Sequence, residues 1–172
     1  MSSRQDSELD EATRRLIDQA AAARAHAHAP YSGFAVGAAV RAADGQVYCG
    51  CNIEISSYGL TMCAERVALF TARAAGAQEL EAIAVVGPAA DGTPTPPCGA
   101  CRQVIWDLAP TAEIYLATPA GGTTIRTAAD LLPDPFGPAH LAAHDDNPER
   151  AGVPDATPGA PAGAHKSRKE DA

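Results

Sequence analysis

The chain has 172 residues, a length that suits one domain with a real hydrophobic core and argues against both a two-domain enzyme and a disulfide-held miniprotein. Its 13 Lys and Arg against 21 Asp and Glu leave a net charge of −8, which excludes a typical nucleic-acid binder, because phosphate affinity comes mostly from clustered Lys and Arg. No uncharged apolar run approaches the ~20 residues that a membrane span needs, and Met1 to Glu11 is too polar for a signal-peptide core, so a cytoplasmic protein without membrane contact is expected.

In chain order, residues 7–29 are predicted as a helix, with Ser7 and Asp10 as its capping start and Pro30 as its stop. His26 and His28 would then lie about 200° apart around its axis, which speaks against a second metal pair. Phe34 to Arg41 is predicted as a strand, Asp44-Gly45 as a hairpin turn and Val47 to Glu54 as the returning strand. A helix is expected from Cys63 to Ala75, stopped by Gly76, and a buried strand from Ala82 to Val86. A Pro/Gly-rich loop over 88–97 leads to a helix from Cys98 to Leu108. Glu113 to Thr118 and Thr123 to Thr127 are predicted as strands, and Ala128 to Leu132 as a short helix. Helices alternating with buried strands after an opening hairpin imply a mixed sheet covered on both faces. Residues 1–144 are read as the folded domain. Residues 145–172 hold four prolines and one large aliphatic residue, too little apolar surface to offset ordering entropy, and are read as a disordered tail.

The chemistry is concentrated in two short motifs. Cys98 and Cys101, three apart at a predicted helix start, place both sulfurs on one face. Cys63 opens a second helix, whose N-terminal partial positive charge favours a thiolate. Three thiolates converging from two helix starts would select zinc or an iron–sulfur cluster over hard cations. Three protein ligands leave a fourth position open, the mark of a catalytic zinc site. Glu65, two residues from Cys63, is placed to move a proton of a metal-activated water. Three thiolates on Zn²⁺ leave a formal charge of −1 (+2 − 3). Arg66, on the helix face of Cys63, is the candidate to draw charge off the sulfurs, with Arg102 a second candidate. The competing reading is a noncatalytic protein with a closed, structural four-cysteine site completed by Cys49 or Cys51, although those two sit in a predicted strand without a knuckle.

Cys63-Ala64-Glu65 and Pro97-Cys98-Gly99-Ala100-Cys101 match the all-cysteine form of the zinc deaminase signature. Pro30 to Ala39, Gly50 to Glu54, Ser57 to Arg66, Cys98 to Val104 and Leu131-Leu132-Pro133 extend the match, and over about residues 12–141 the chain resembles the small cytidine deaminases. The resemblance implies a three-layer α/β/α sandwich with a mixed five-stranded sheet, a Zn²⁺ cofactor and a homotetramer. It implies a hydrolase acting on a cyclic amidine, converting cytidine and 2'-deoxycytidine to uridine and deoxyuridine with release of ammonia, in pyrimidine salvage. Deamination of a cytosine nucleoside antibiotic such as blasticidin S is the alternative. By the same resemblance Cys63, Cys98 and Cys101 bind zinc, and Glu65 is the proton shuttle while zinc-bound hydroxide attacks C4. Phe34 stacks on the pyrimidine, Asn52 and Glu54 hold the ribose, Ala64 holds the ring through its backbone, and Phe136 reaches into a neighbouring subunit's pocket. Asn52 and Glu54, two apart in a predicted strand, point the same way on residue spacing alone. Without the resemblance, Phe34 reads rather as a core residue, alternating with Val36 and Val40.

Overall fold

A computed structural model describes residues 9–89, 91–138 and 140. The chain divides into two units, Met1–Pro135 and Phe136–Ala172, and the sheet with its four helices belongs to the first. In order these elements are α1 (Glu11–Arg24), β1 (Gly37–Ala42), β2 (Val47–Cys51), α2 (Ala64–Ala74), β3 (Leu80–Val86), α3 (Gly99–Leu108), β4 (Glu113–Ala117), β5 (Thr123–Arg126) and α4 (Ala128–Leu131). The sheet runs β2-β1-β3-β4-β5, with β3 and β4 parallel and every other neighbouring pair antiparallel. This is the expected mixed five-stranded α/β architecture.

Strand alternation sorts the core into two layers. Ala38, Val40, Ile83, Val85, Ile114 and Leu116 point to the face covered by Ala68, Leu69 and Ala72 of α2 and Ile105 of α3. Ala39, Ala82, Ala84, Val86, Tyr115 and Ala117 point to the other face, where Leu16 and Ala20 of α1 cover them. A sheet buried on both faces explains why its central strands read as continuous apolar runs.

Two glycines set how closely the helices approach. A Cβ on Gly37 would lie 2.0 Å from the Ala20 carbonyl oxygen of α1. A Cβ on Gly50 would lie 2.5 Å from the Ala68 nitrogen and 2.7 Å from the Ala64 carbonyl oxygen of α2. Hydrogen in place of a side chain lets α2 rest directly on β2, and α2 carries the Cys-Ala-Glu motif at its start.

Four predicted boundaries shift by several residues. Asp10 itself is the N-cap of α1, its carboxylate accepting from the Thr13 amide, while Ser7 lies outside the described residues. The helix ends at Arg24 rather than 29, because residues 25–29 are recruited to the rim of the sheet. There His28 donates its amide to the Asn52 carbonyl at 2.9 Å and accepts from the Glu54 amide at 2.8 Å. His26 and His28 therefore leave the helix on which their spacing was judged. Strand β1 starts at Gly37 rather than Phe34, and β2 ends at Cys51 rather than Glu54. The expected tail, 145–172, lies outside the described residues. Among the described residues no helix is long and apolar enough to cross a membrane.

Candidate active site

Cys63 is the N-cap of α2 and Cys98 the N-cap of α3, both in extended conformation, with Cys101 in the first turn of α3. Neither cysteine caps its helix with a side-chain hydrogen bond, so both sulfurs remain available at helix termini of partial positive charge. The Cys63 and Cys98 sulfurs lie 3.7 Å apart and those of Cys98 and Cys101 3.6 Å apart. All three fall within 4.8 Å of one another. Thiolates around tetrahedral zinc, at about 2.3 Å each, stand about 3.8 Å from one another, so the trio already has the spacing of a metal-binding set. It is the only such group among the described residues. Cys49 and Cys51 stay on β2 outside it, and the Cys51 thiol donates to the His26 carbonyl at 3.2 Å. Among the described residues the group thus offers three sulfurs, not the four of a closed structural site.

The charges around the trio differ. Hydrogen bonding from Cys101, helped by the Arg66 guanidinium and Cys98, brings the Cys63 thiol down to about 5. Cys101 shifts the opposite way, through its bond to Cys63 and its burial. Arg66 Nη2 donates to the Cys63 sulfur at 3.6 Å and to the Thr61 carbonyl at 3.3 Å, while its Nε is buried with no partner among the described groups. Arg102, the second candidate for a sulfur contact, instead turns its guanidinium to two backbone carbonyls, those of Pro97 and Leu131. Glu65 lies in the first turn of α2, 4% exposed. Burial pushes its carboxyl above the ordinary glutamate value and the Cys63 charge adds to this, while the Cys101 thiol acts as a hydrogen-bond partner. Ala64, between ligand and carboxylate, is fully buried.

Two of the residues expected at the substrate end, Asn52 and Glu54, tie their own segment to residues 31–36. Asn52 is buried, its Oδ1 accepting from the Val36 amide and its Nδ2 donating to the Phe34 carbonyl, both at 2.8 Å. These bonds take up the Phe34 carbonyl and the Val36 amide, while the Val36 carbonyl still accepts from the Asn52 main-chain amide at 3.2 Å. Each Asn52 group retains one further site, because an amide oxygen accepts twice and an amide nitrogen donates twice. Glu54 accepts from the Tyr31 amide at 2.9 Å, the Ser32 amide at 3.2 Å and the Ser32 hydroxyl. Phe34 is 43% exposed and so is no core residue. Phe136 belongs to the second unit, where its ring stacks on His140 with centroids 5.3 Å apart.

A cavity of about 350 Å³ opens beside Glu54, lined by Tyr31, Ser32, Tyr58 and Thr61 as well. Tyr31 and Tyr58 meet edge to face at 5.5 Å. Thr61 ties this cavity to the sulfurs, since it lies two residues before Cys63 and its carbonyl accepts from Arg66.

The family model for the cytidine and deoxycytidylate deaminase zinc-binding region matches residues 10–118. The chain belongs to this family. A cytidine deaminase of Halalkalibacterium halodurans is 50% identical over 122 residues, covering 70% of this chain and 91% of the relative. One from Mycobacterium tuberculosis is 43% identical over 122 residues, covering 71% of this chain and 87% of the relative. The crystal structure of a cytidine deaminase from Burkholderia pseudomallei superposes with a TM-score of 0.69 at 50% identity, over 74% of this chain and 100% of that one.

Within this deaminase chain, sequence reasoning passed over Tyr31, Ser32, Tyr58 and Thr61 as site residues. The available signal was two tyrosines in glycine- and serine-containing loops, where an aromatic ring has no core to fill. The Glu54 cluster also carries a pH dependence. The Ser32 hydroxyl, the Tyr31 amide and the Ser32 amide hold its carboxyl below the ordinary value of 4.5. A folded pKa below the unfolded one gives stability that is complete above the unfolded value and lost as pH falls through the folded one. Glu54→Gln should therefore lower the thermal midpoint at neutral pH, with the gap to wild type closing below the ordinary glutamate range. Thermal scans across that pH range check it, and a gap that does not change with pH would refute the capping role.

Proposed function

We propose that the chain hydrolyses cytidine and 2'-deoxycytidine to uridine and deoxyuridine, releasing ammonia, in pyrimidine salvage. The observation that carries this reading is the buried Glu65 carboxyl beside a three-sulfur cluster of metal-ligand spacing. We assign Cys63, Cys98 and Cys101 to a Zn²⁺ ion, which when bound supplies Lewis acidity toward water. Three protein sulfurs leave room for that water, and Arg66 offsets the negative charge they bring.

The remaining work falls to the chain's own groups. Glu65 accepts a proton from the attacking water and delivers it to ring N3, then takes the second proton from the new C4 hydroxyl and passes it to the departing amine, leaving a carbonyl at C4. Burial holds its carboxyl above the ordinary glutamate value, which eases the uptake of a proton that both halves of this exchange require. Oxygen is gained at C4 and nitrogen leaves as ammonia, so water is the sole co-substrate. The Ala64 amide, at the exposed donor end of α2, is assigned to the pyrimidine ring. Phe34 offers an exposed ring for stacking. Asn52, through its spare donor and acceptor, and Glu54, through its remaining lone pairs, are assigned to the ribose hydroxyls.

Charge favours a neutral nucleoside over a nucleotide. Among the described residues, the cavity lining includes the Glu54 carboxylate and no lysine or arginine, so a substrate phosphate placed there would meet like charge without a compensating cation from them. A homotetramer is proposed, with Phe136 serving a neighbouring copy's pocket, as is a cytoplasmic location.

Ammonia release from zinc-loaded protein tests the reading, with cytidine, deoxycytidine, their 5'-phosphates and blasticidin S as substrates. Turnover of both nucleosides and neither phosphate is the expected result. Turnover of blasticidin S alone would replace salvage with antibiotic inactivation, and turnover of the phosphates would overturn the charge argument.

A further inference from the structure

The three sulfurs are not equally well held. Cys101 is buried and Cys63 half-buried, but Cys98 is exposed. Packing therefore does least for Cys98, and it has no side-chain hydrogen bond of its own to the helix it caps. What fixes its direction is the peptide that precedes it. Pro97 is fully buried, and its carbonyl oxygen accepts from Arg102 Nε at 2.8 Å. The same guanidinium donates from Nη1 to the carbonyl oxygen of Leu131, the last residue of α4, at 3.0 Å. The backbone amide of Arg102 in turn bonds the Cys98 carbonyl at 3.0 Å.

We infer that Arg102 is a positioning residue for Cys98, holding the Pro97–Cys98 peptide in the orientation that directs the third sulfur into the metal site. This inference rests on the assignment of Cys63, Cys98 and Cys101 as zinc ligands. Arg102 acts through the backbone, whereas Arg66 donates to a sulfur directly. Rotation of the 97–98 peptide would change the φ of Cys98 and swing its Cβ. One charged fork bonded to two carbonyls on separate elements opposes that rotation. The second carbonyl is a helix-end acceptor that α4 itself does not satisfy, so the fork also fastens the end of α4 to the start of α3. Lysine cannot reproduce this, because a single ammonium lacks the planar geometry that spans both oxygens.

The structure contains its own control. Arg73, at the opposite end of α2, also bonds backbone carbonyls, those of Ala77, Gln78 and Leu108. It joins the C-terminal ends of α2 and α3, away from the cysteines at their starts. Loss of either arginine should weaken the fold, but only Arg102 should matter to zinc retention.

The experiment compares wild type, Arg102→Gln, Arg102→Lys and Arg73→Gln as zinc-loaded proteins. It measures zinc release to a chromogenic chelator, the thermal midpoint, and the thiolate-to-metal absorption of the cobalt-substituted forms. Arg102→Gln should release zinc faster by about tenfold to a hundredfold, the usual range for loss of a group that orients a ligand. Arg102→Lys should fall between it and wild type, with altered thiolate-to-cobalt absorption in both. Arg73→Gln should lose thermal stability yet release zinc at the wild-type rate. Equal acceleration by Arg73→Gln, or wild-type release from both Arg102 variants, would overturn the inference. Should Arg102→Gln not fold, Arg102→Lys decides alone against Arg73→Gln. A wild-type protein that holds no zinc would overturn the ligand assignment and this inference with it.

Discussion

Glu65→Gln is expected to cut turnover of cytidine by about 10²–10⁴, the range for loss of a positioned general acid–base, while leaving zinc content unchanged. Glutamine keeps the shape of the side chain and its hydrogen-bonding capacity but cannot carry a proton. The position is 4% exposed, so no solvent-borne substitute reaches it easily. The loss should fall on kcat, because proton transfer belongs to the transition state rather than to nucleoside binding. Steady-state kinetics alongside a metal assay separate the two effects. Near-normal kcat at full zinc occupancy would remove Glu65 from the chemistry, and loss of zinc would make it a structural support of the cluster.

The second large effect is expected at Gly50, away from any reacting atom. A methyl group there meets the Ala68 nitrogen at 2.5 Å and the Ala64 carbonyl oxygen at 2.7 Å, both main-chain atoms of a helix that cannot fold aside. Gly50→Ala should therefore push α2 off β2. Overpacking of a close-packed interior costs about 1–3 kcal/mol, and a clash with backbone belongs at the upper end. At this chain length that corresponds to a thermal midpoint lower by about 6–12 °C. Because Cys63 caps α2, the displacement should also weaken zinc retention, a loss that a stability scan and a zinc titration read independently. A wild-type midpoint would show that α2 does not depend on this contact for its seat.

The central part of the fold was legible because its residues obey one rule at a time. Ala82 to Val86 is apolar throughout since both faces of β3 are covered, and Cys63 to Ala75 carries a clear helical face and a glycine stop. Legibility failed where tertiary hydrogen bonds override local preference. The alternating alanines and histidines of residues 25–29 favour helix, yet His28 is bonded to Asn52 and Glu54 on the segment that follows the edge strand β2. Phe34 to Val36 reads as strand, yet the Asn52 side chain occupies the amide and carbonyl that a neighbouring strand would use. Arg102 was a second candidate for the sulfurs beside Arg66, and nothing in the sequence reveals that two backbone carbonyls hold its guanidinium instead. The sulfur trio was legible for a different reason. Three thiol side chains at the starts of two helices have few uses other than a metal, so residue type restricted the chemistry before geometry did.

The separation between Cys63 and Cys98 is 35 residues, whereas Cys98 and Cys101 are three apart. An unfolded chain can present only the close pair as a local chelate. The third sulfur joins them once α2 and α3 are docked on the same face of the sheet, and α3 lies in the connection between the parallel strands β3 and β4. Parallel pairing between distant segments is a slow step of folding, since loop closure must precede the contacts that reward it. With the proposed three-sulfur site, metal capture is expected to run in order: a weak two-sulfur hold in the nascent chain, then a tight three-sulfur hold once the sheet is complete. A bound ion spanning that interval would act afterwards as a cross-link, shortening the effective loop of the denatured chain and slowing its escape from the folded state.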